Sequence, residues 1–553
     1  MKIDVEAHNK KKAILKGMEE ERQAWWPHWR ELADFYLPRR YVWLQTPQER
    51  VRKVVKNPNI LDGTGTTAAR ILAAGMMNGI TSPGRPWFRL RIPGLEDQIG
   101  SPERVWLDEV TRRMMLVLAE SNFYNALAVM YLDLVVFGTA AMIIYEDSES
   151  VIRCYNPALG EFYIAQDYRL QVNTFAREFT YKVHQVVAMF GEENCSETVR
   201  SAYKEKGSRL MEDVKIVHLI EPNLPGANGY EVPRVFPYRE CYWEAGVTGE
   251  LLALRGFHEF PCICPRWELS GNDSYGSSPA MDALGDVIQL QHETKKKGQG
   301  LDKMVNPPVI ADIQLKHKPT ALLPNGVTFV AGINNVGVKP AYTVQLPLQE
   351  LTLDIREVQA RIRETFHNDL FQMISQLDTV RSATEIDARR EEKLVRLGSV
   401  LERFENEALD PALRRVFSIM NRARLLPEPP ESLAGLDIEI QYVSILSTAQ
   451  SALSVIPTER FIGLVGNIAA MYPKAVNVPN WEELLRDYGQ AIGVPAKSIN
   501  PPDVSQALNQ QMDEILATRE AANTGAVAVE AAKNLSETEV GGGANALQRL
   551  LGG

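Results

Sequence analysis

The period of the apolar positions changes several times along the chain, and each change marks a new part. Residues 6–37 carry a helical period. Trp25, Trp26 and Trp29 crowd its end, and Pro38-Arg39-Arg40 closes it. A second helix is predicted from about Thr66 to Asn78, with Asp62 or Thr64 as its cap and Ser82-Pro83-Gly84 as the turn after it. In residues 102–120, Trp106, Val110, Met114 and Val117 fall on one side of a further helix. Residues 127–145 are mostly apolar but hold Asp133 and are split by Gly138. A spanning helix wants about 20 unbroken apolar residues, and a central Asp would be costly. The pattern therefore predicts a buried helix ending near Phe137-Gly138 and then a strand, 140–145. From Ala140 to about Phe260 the texture becomes β, with runs such as Val151–Tyr155, Val214–Ile220 and Arg239–Trp243 and one helix near 182–190.

The second half returns to helical spacing. Ser277-Ser278-Pro279 opens a helix with Pro at its first position, and Asn306-Pro307-Pro308 ends it. Residues 309–345 read as short strands and turns, and Leu348–Phe366 as a helix again. Asp369–Ser382 is polar and irregular. After it, helix formers run to about Arg424, with Thr384 as cap and Leu394, Leu397, Leu401 and Phe404 in one stripe that Leu413, Val416, Phe417 and Met420 continue. Such a helix would span about 60 Å, with a bend or restart expected at Asp410-Pro411 and Asp410 as cap. Long helices with charged flanks and a narrow apolar stripe usually pack against partner helices, often from other copies. A strand at 436–446, helices at 449–471 and 481–491, a last helix capped by Asp503, and a Gly-rich tail from Gly541 complete the pattern.

Composition narrows the function classes. A chain of 553 residues can build several domains' worth of core. Its net charge of −10 lacks the basic excess of a sequence-specific DNA binder. The five cysteines include no C-x-x-C pair and no zinc-module spacing, which suits reduced thiols in a cytosolic protein. The N-terminus has no apolar stretch of the kind a secretory signal needs.

Candidate chemistry is sparse. Asp62-Gly63-Thr64-Gly65-Thr66-Thr67 looks like a phosphate cradle, but no Lys follows the glycines, and a helix cap is the plainer reading. Asp387, Glu391 and Lys393 could suggest a nuclease set, yet they share one charged helix face, where a solvated or intersubunit salt-bridge surface is the plainer reading. No HExxH and no G-x-S-x-G elbow is present. Lys295-Lys296-Lys297 has two open readings. The three lysines could meet phosphates, or they could simply oppose the dipole at a helix C-terminus.

Several blocks are specific enough to carry a resemblance. Residues 24–40 read AWWPHWRELADFYLPRR, and 61–90 contain LDGTGTTAARILAAGMMNGITSPGRPWFRL. VFGTAAMIIY follows at 136–145, YGSSP at 275–279 and NPP at 306–308, with Thr384-Glu385-Ile386 and LGSVL at 397–401 in the long helical run. In this order, over roughly residues 15–510, the chain resembles the portal, or head-to-tail connector, proteins of short-tailed bacteriophages.

The resemblance implies an α+β, mainly helical subunit that assembles as a ring, usually of twelve copies, at one capsid vertex. It implies a wing (1–276), a stem helix (277–305), a small β-rich clip (306–345) and a second stem helix (346–368). A tunnel loop (369–383), a long bridging helix (384–424), a returning wing segment (425–448), crown helices (449–502) and a barrel helix with tail (503–553) would follow. The C-terminal barrel varies within the family, and the Ala-rich run and Gly541-Gly542-Gly543 put a full barrel in doubt here. DNA-channel residues would be Gln372, Met373, Ser375, Gln376, Asp378 and Arg381 in the tunnel loop and Lys295, Lys296 and Lys297 at the stem end. Arg389, Arg390, Glu391, Glu392, Arg396 and Arg403 would meet neighbouring copies. The implied partners are further copies of the chain, double-stranded DNA held without sequence preference, the terminase large subunit, tail adaptor or nozzle proteins, the major capsid and scaffolding proteins, and internal core proteins. No cofactor, metal, membrane contact or catalysis is expected, and the place would be the virion, after assembly in the host cytoplasm. A conduit should not grip DNA, because each phosphate contact adds affinity that transport must break. Two competing classes are a packaging ATPase or nuclease, which lacks its phosphate loop here, and a membrane-associated factor resting on 127–145.

Overall fold

The chain mixes helix and sheet, and most of its order is helical. The computed structural model describes residues 3–44, 59–92, 101–224, 232–305, 309–311, 338–340, 347–369, 398–433 and 439–442, with shorter pieces between 458 and 533. Two compact units divide it. The larger takes 1–90, 105–434 and 440–450, and the smaller takes 91–104, 435–439 and 451–553. In the smaller unit, Arg91 pairs with Glu439 at 3.2 Å, and residues 461–469 are helical.

The N-terminal helix predicted as one piece is two, α1 (Val5–Gln23) and α2 (Trp26–Phe35). Pro27 explains the break, since it lacks an N–H and is suited to the first turn of a new helix. Helix α3 (Thr64–Ile80), with strand β1 (Phe88–Arg91) after it and α4 (Ser101–Glu120) next in the chain, packs against α5 (Phe123–Phe137) and buries Ala69, Leu72 and Met76. Helix α5 ends where the sequence indicated, with Gly138 in the left-handed region at φ 74°. Among the described residues no single helix is long and apolar enough to cross a membrane.

The β section forms two sheets. Strands β2 (Met142–Asp147), β3 (Val151–Tyr155) and β9 (Cys262–Ile263) make an antiparallel sheet in the order β3-β2-β9. Asn122 caps the β3 edge, since its amide both donates to Cys154 O (2.7 Å) and accepts from Cys154 N (2.8 Å), as a neighbouring strand would. The five-stranded antiparallel meander comprises β4 (Phe162–Gln166), β5 (Val172–Lys182), β6 (Asp213–Pro222), β7 (Tyr238–Glu244) and β8 (Ala253–Phe257). Side chains alternate between its faces. Val217, Leu219, Cys241 and Trp243 pack with Ala7 and Met18 of α1, while Ile216, Tyr242 and Phe179 pack with α6 (Val183–Phe190) and α7 (Glu197–Glu205). Helix α7 gave no signal in the sequence because only Val199 and Ala202 face inward along its nine residues. All five cysteines are free and buried, and burial pushes the Cys154 thiol up to about 12.

The two sequence blocks VFGTA and YGSSP meet in space. Gly276 N donates to Thr139 Oγ1 (2.8 Å), Ser278 Oγ donates to Val136 O (2.8 Å), and Trp267 N donates to Gly138 O (2.9 Å). A Cβ on Gly138 would lie 2.1 Å from Gly276 O, and one on Gly276 would lie 2.6 Å from Gly138 O. Glycine is required at this crossing because neither backbone leaves room for a methyl group.

The helix expected from Pro279 is interrupted at Ala283, giving α8 (Pro279–Asp282) and α9 (Leu284–Val305). The segment 309–345 includes β10 (Val309–Ala311) and β11 (Val338–Pro340), paired antiparallel, and α10 (Leu348–Thr365) follows. The long helix is described from residue 398. It passes through a π-helical turn at Glu405–Leu409 into α11 (Asp410–Arg422). The expected restart at Asp410-Pro411 is therefore a change of helical winding, and Asp410 is no cap. Its carboxylate accepts the Tyr442 hydroxyl, and the helix enters through Leu409. Burial, with Asp410 and Glu402 nearby, pushes Glu405 up to about 7.

Candidate nucleic-acid interface

The three lysines that the sequence offered to DNA lie on α9, which packs antiparallel with α10. Leu284, Val287, Leu290 and Gln291 of α9 turn inward, as do Ile355, Val358 and Ile362 of α10. Arg361 of α10 pairs with Asp286 of α9 at 2.9 Å, and Lys297 Nζ donates to Thr352 Oγ1 at 3.1 Å, eleven residues further along α9 and nine back along α10. Lys295 and Lys296 face outward and are exposed, whereas Lys297 is half-buried between the helices. Two of the three lysines are thus available to a phosphate backbone, and the third ties the pair together. Helix spacing of about 100° per residue explains the split, since three consecutive residues cannot share one face.

The DGTG block sits at the base of this pair and is already occupied by the chain's own groups. Leu61 N and Asp62 N both donate to Gln291 Oε1 (2.7 and 2.8 Å), and Gln291 Nε2 donates back to Asp62 O (2.9 Å). Asp62 Oδ1 accepts Thr64 N at 2.8 Å, and Oδ2 accepts Gln359 Nε2 at 2.7 Å. Burial alone would raise the Asp62 carboxyl. The hydrogen bonds from Thr64 and Gln359 and the charge of Arg363 outweigh it, and the group stays below the ordinary carboxylate range. Gly65 lies flush on α9, where a Cβ would come within 2.9 Å of Val287. The plainer reading of this block as a helix start is the one the geometry supports, although Gly63 rather than Asp62 or Thr64 holds the cap position and no side chain caps the helix. A cleft of about 460 Å³ beside it is lined by Thr64, Thr67, Arg363 and Asn368 among others.

Of the residues expected to meet neighbouring copies, Arg403 is described. It borders two clefts, of about 340 and 620 Å³, that also share Leu269 and Ser399. Arg389, Arg390, Glu391, Glu392 and Arg396 lie outside the described residues, as do the tunnel-loop candidates Gln372, Met373, Ser375, Gln376, Asp378 and Arg381 and the set Asp387, Glu391 and Lys393. Other charges of the long helix are satisfied within the chain, which the expectation of packing against copies did not foresee. Glu407 holds the buried Arg266 through both carboxylate oxygens (2.7 and 3.2 Å) and also accepts Arg266 N (2.9 Å). Glu259 takes Arg415 (3.2 Å), Arg422 (2.7 Å) and the Ser418 hydroxyl. Among the described residues no group of His, Cys, Asp and Glu could hold a metal ion.

Asp62, Gln291 and Gln359 were not singled out together in the sequence. Asp62-x-Thr64 was a visible cap signal, but a lone Gln on the apolar face of a predicted helix is a weak one.

Comparison with known proteins places this architecture. Residues 8–499 match the family described as bacteriophage head to tail connecting protein. The chain is 40% identical over 509 residues to a probable portal protein of Bordetella phage BPP-1, covering 91% of this chain and 90% of that protein. It is 37% identical over 540 residues to the portal protein of Salmonella phage epsilon15, covering 96% of each.

Proposed function

The chain belongs to the bacteriophage head-to-tail connecting family and is a portal protein, and from that premise we propose how its parts serve the role. Copies of the chain form a ring, of twelve by family habit, at one vertex of the capsid, and double-stranded DNA enters and leaves through its centre. The single observation that carries this reading is the family match over residues 8–499, joined by two portal relatives that the chain covers over at least nine-tenths of their own lengths.

In this reading α9 and α10, within 277–305 and 346–368, are the stem. Residues 306–345 are the clip that meets the terminase and then the tail adaptors, and 369–383 are the tunnel loop with Gln372, Met373, Ser375, Gln376, Asp378 and Arg381 toward DNA. Residues 1–276 and 425–448 make the wing, 384–424 bridge to the crown (449–502), and 503–553 form the barrel helix and tail. Arg389, Arg390, Glu391, Glu392, Arg396 and Arg403 face neighbouring copies. Exposure of Lys295 and Lys296 on one stem helix supports their contact with phosphates. These are point charges that touch backbone without reading bases. The acidic whole, at −10 per chain, supports a conduit that does not hold its cargo.

Imaging of purified protein should show rings with a central hole, and a monomer under all conditions would defeat the assignment. Lys295→Glu with Lys296→Glu should leave rings intact and lower the amount of DNA packaged or retained in assembled heads. Normal packaging and retention would leave the lysines as a helix end only.

A further inference from the structure

A single residue, Asp62, ties both helices of the α9/α10 pair to α3. Its backbone N and O are held by Gln291 of α9, its Oδ2 by Gln359 of α10, and its Oδ1 closes the first turn of α3 through Thr64. Gln291 is buried and spends both ends of its amide on this loop. The chain just past α10 returns to the same helix, where Asn368, with its amide oriented to satisfy both ends, donates to Ala68 O at 3.0 Å. Tyr36 completes the joint. Its hydroxyl donates to Ala280 O (3.0 Å), its carbonyl accepts Thr66 Oγ1 (3.1 Å), and its ring tilts against Phe366 at 5.9 Å. Leu61 N, Asp62 N and Thr64 N all donate to side chains of the chain itself, so these three donors are not open to an anion.

The geometry points to Asp62 as a positioning residue for the DNA path: it fixes the seat of the α9/α10 pair on α3 through Gln291 and Gln359. This rests on the portal reading, in which that pair lines the way of DNA. The reasons are chemical. The tie to Gln359 is a hydrogen bond to a carboxylate, roughly twice as strong as one between neutral groups. It connects two elements 297 residues apart, so no local structure can replace it. Gln359 itself is only half-buried, so α10 should still fold and pack through Ile355, Val358 and Ile362 when the bond is removed.

The test uses full-length rings. Gln359→Glu sets a second carboxylate against Asp62 while keeping size and helix propensity. Asp62→Asn is the conservative control, because Asn still accepts from Thr64 and an amide rotation at Gln359 restores the cross-helix bond. Spin labels go on Arg70→Cys in α3 and Arg356→Cys in α10, both exposed, in labelled protomers diluted into unlabelled ones. The five native thiols are buried and stay silent. We expect Q359E still to fold and form rings and to broaden the α3–α10 distance distribution. The displaced population should rise by about tenfold, the factor for removal of one hydrogen bond to a charged group. D62N, which keeps the bond but loses its charge, should broaden the distribution less than Q359E. Heads assembled with Q359E should retain less DNA than those with D62N. An unchanged distance distribution in Q359E overturns the proposal, and so does a broadened one with normal DNA retention. The distance measurement involves no DNA, so a failure of the portal reading, which the Lys295/Lys296 variant exposes, is separable from a failure of the joint.

Discussion

Single side chains in the sheet show how much of this molecule's chemistry is structural. His218 is fully buried between Arg177 and Glu240 and stacks on Tyr242 with ring centres 4.0 Å apart. Arg177 Nε donates to His218 Nδ1 at 3.1 Å, so that nitrogen must be bare, and Nε2 carries the proton that faces Glu240 Oε1 at 2.8 Å. Burial, partly offset by Glu240, pushes the folded imidazole down to about 4. Between pH 6.5 and 4 the unfolded chain therefore binds a proton that the folded chain does not. Stability from this group is full above pH 6.5 and declines as pH falls through that window, with a slope that approaches about 1 kcal/mol per pH unit. His218→Gln should flatten that slope, as measured by unfolding midpoints from about pH 7 to about pH 4. An equally steep fall in the variant would place the acid sensitivity elsewhere.

Elements are joined by a few charge pairs of large sequence separation. Arg266 is 1% exposed and depends on Glu407, 141 residues away in the π-helical turn. Removing one partner of a buried pair leaves the other uncompensated, at about 3–5 kcal/mol. Glu407→Ala should therefore cost about 3 kcal/mol in denaturant unfolding, toward the low end because Glu407 itself is partly exposed. Glu407→Gln, which still accepts a hydrogen bond, should cost less. A change under about 1 kcal/mol from the Ala variant would mean that Gln166 and Leu170 O alone hold the guanidinium. Such joints explain what was legible in the sequence. Helices α3, α4, α9 and α10 announced themselves because each buries one stripe at helical spacing, α5 because its apolar run is buried on nearly every side, and Gly138 ended α5 through its own backbone preference. The π turn, the break at Ala283 and the pairing of Glu407 with Arg266 depend on distant partners, and no local pattern encodes them. Three of the blocks that carried the family resemblance prove to be packing joints, where VFGTA crosses YGSSP and DGTG seats on α9.

At the scale of the whole molecule, an acidic ring with a few stem cations along the proposed DNA path should meet DNA weakly and in proportion to those cations. Each neutralised phosphate adds about 0.9 to the slope of log affinity against log salt for duplex DNA. Lys295→Glu with Lys296→Glu should therefore lower the slope measured on assembled rings, by about 0.9 for every phosphate that the ring no longer neutralises, and should do so equally for DNA of any sequence. A sequence-dependent change would point to base recognition, which this reading excludes. The sequence could name these lysines but could not separate them from Lys297, because which face of α9 is covered is decided by α10. Asp62 adds a matter of timing. Its partner Gln359 lies 297 residues downstream, so on the ribosome the joint cannot close until roughly 15–60 s of further synthesis have passed. A chain truncated or stalled before α10 carries an unclosed joint, whereas one that ends beyond α10 already holds both partners.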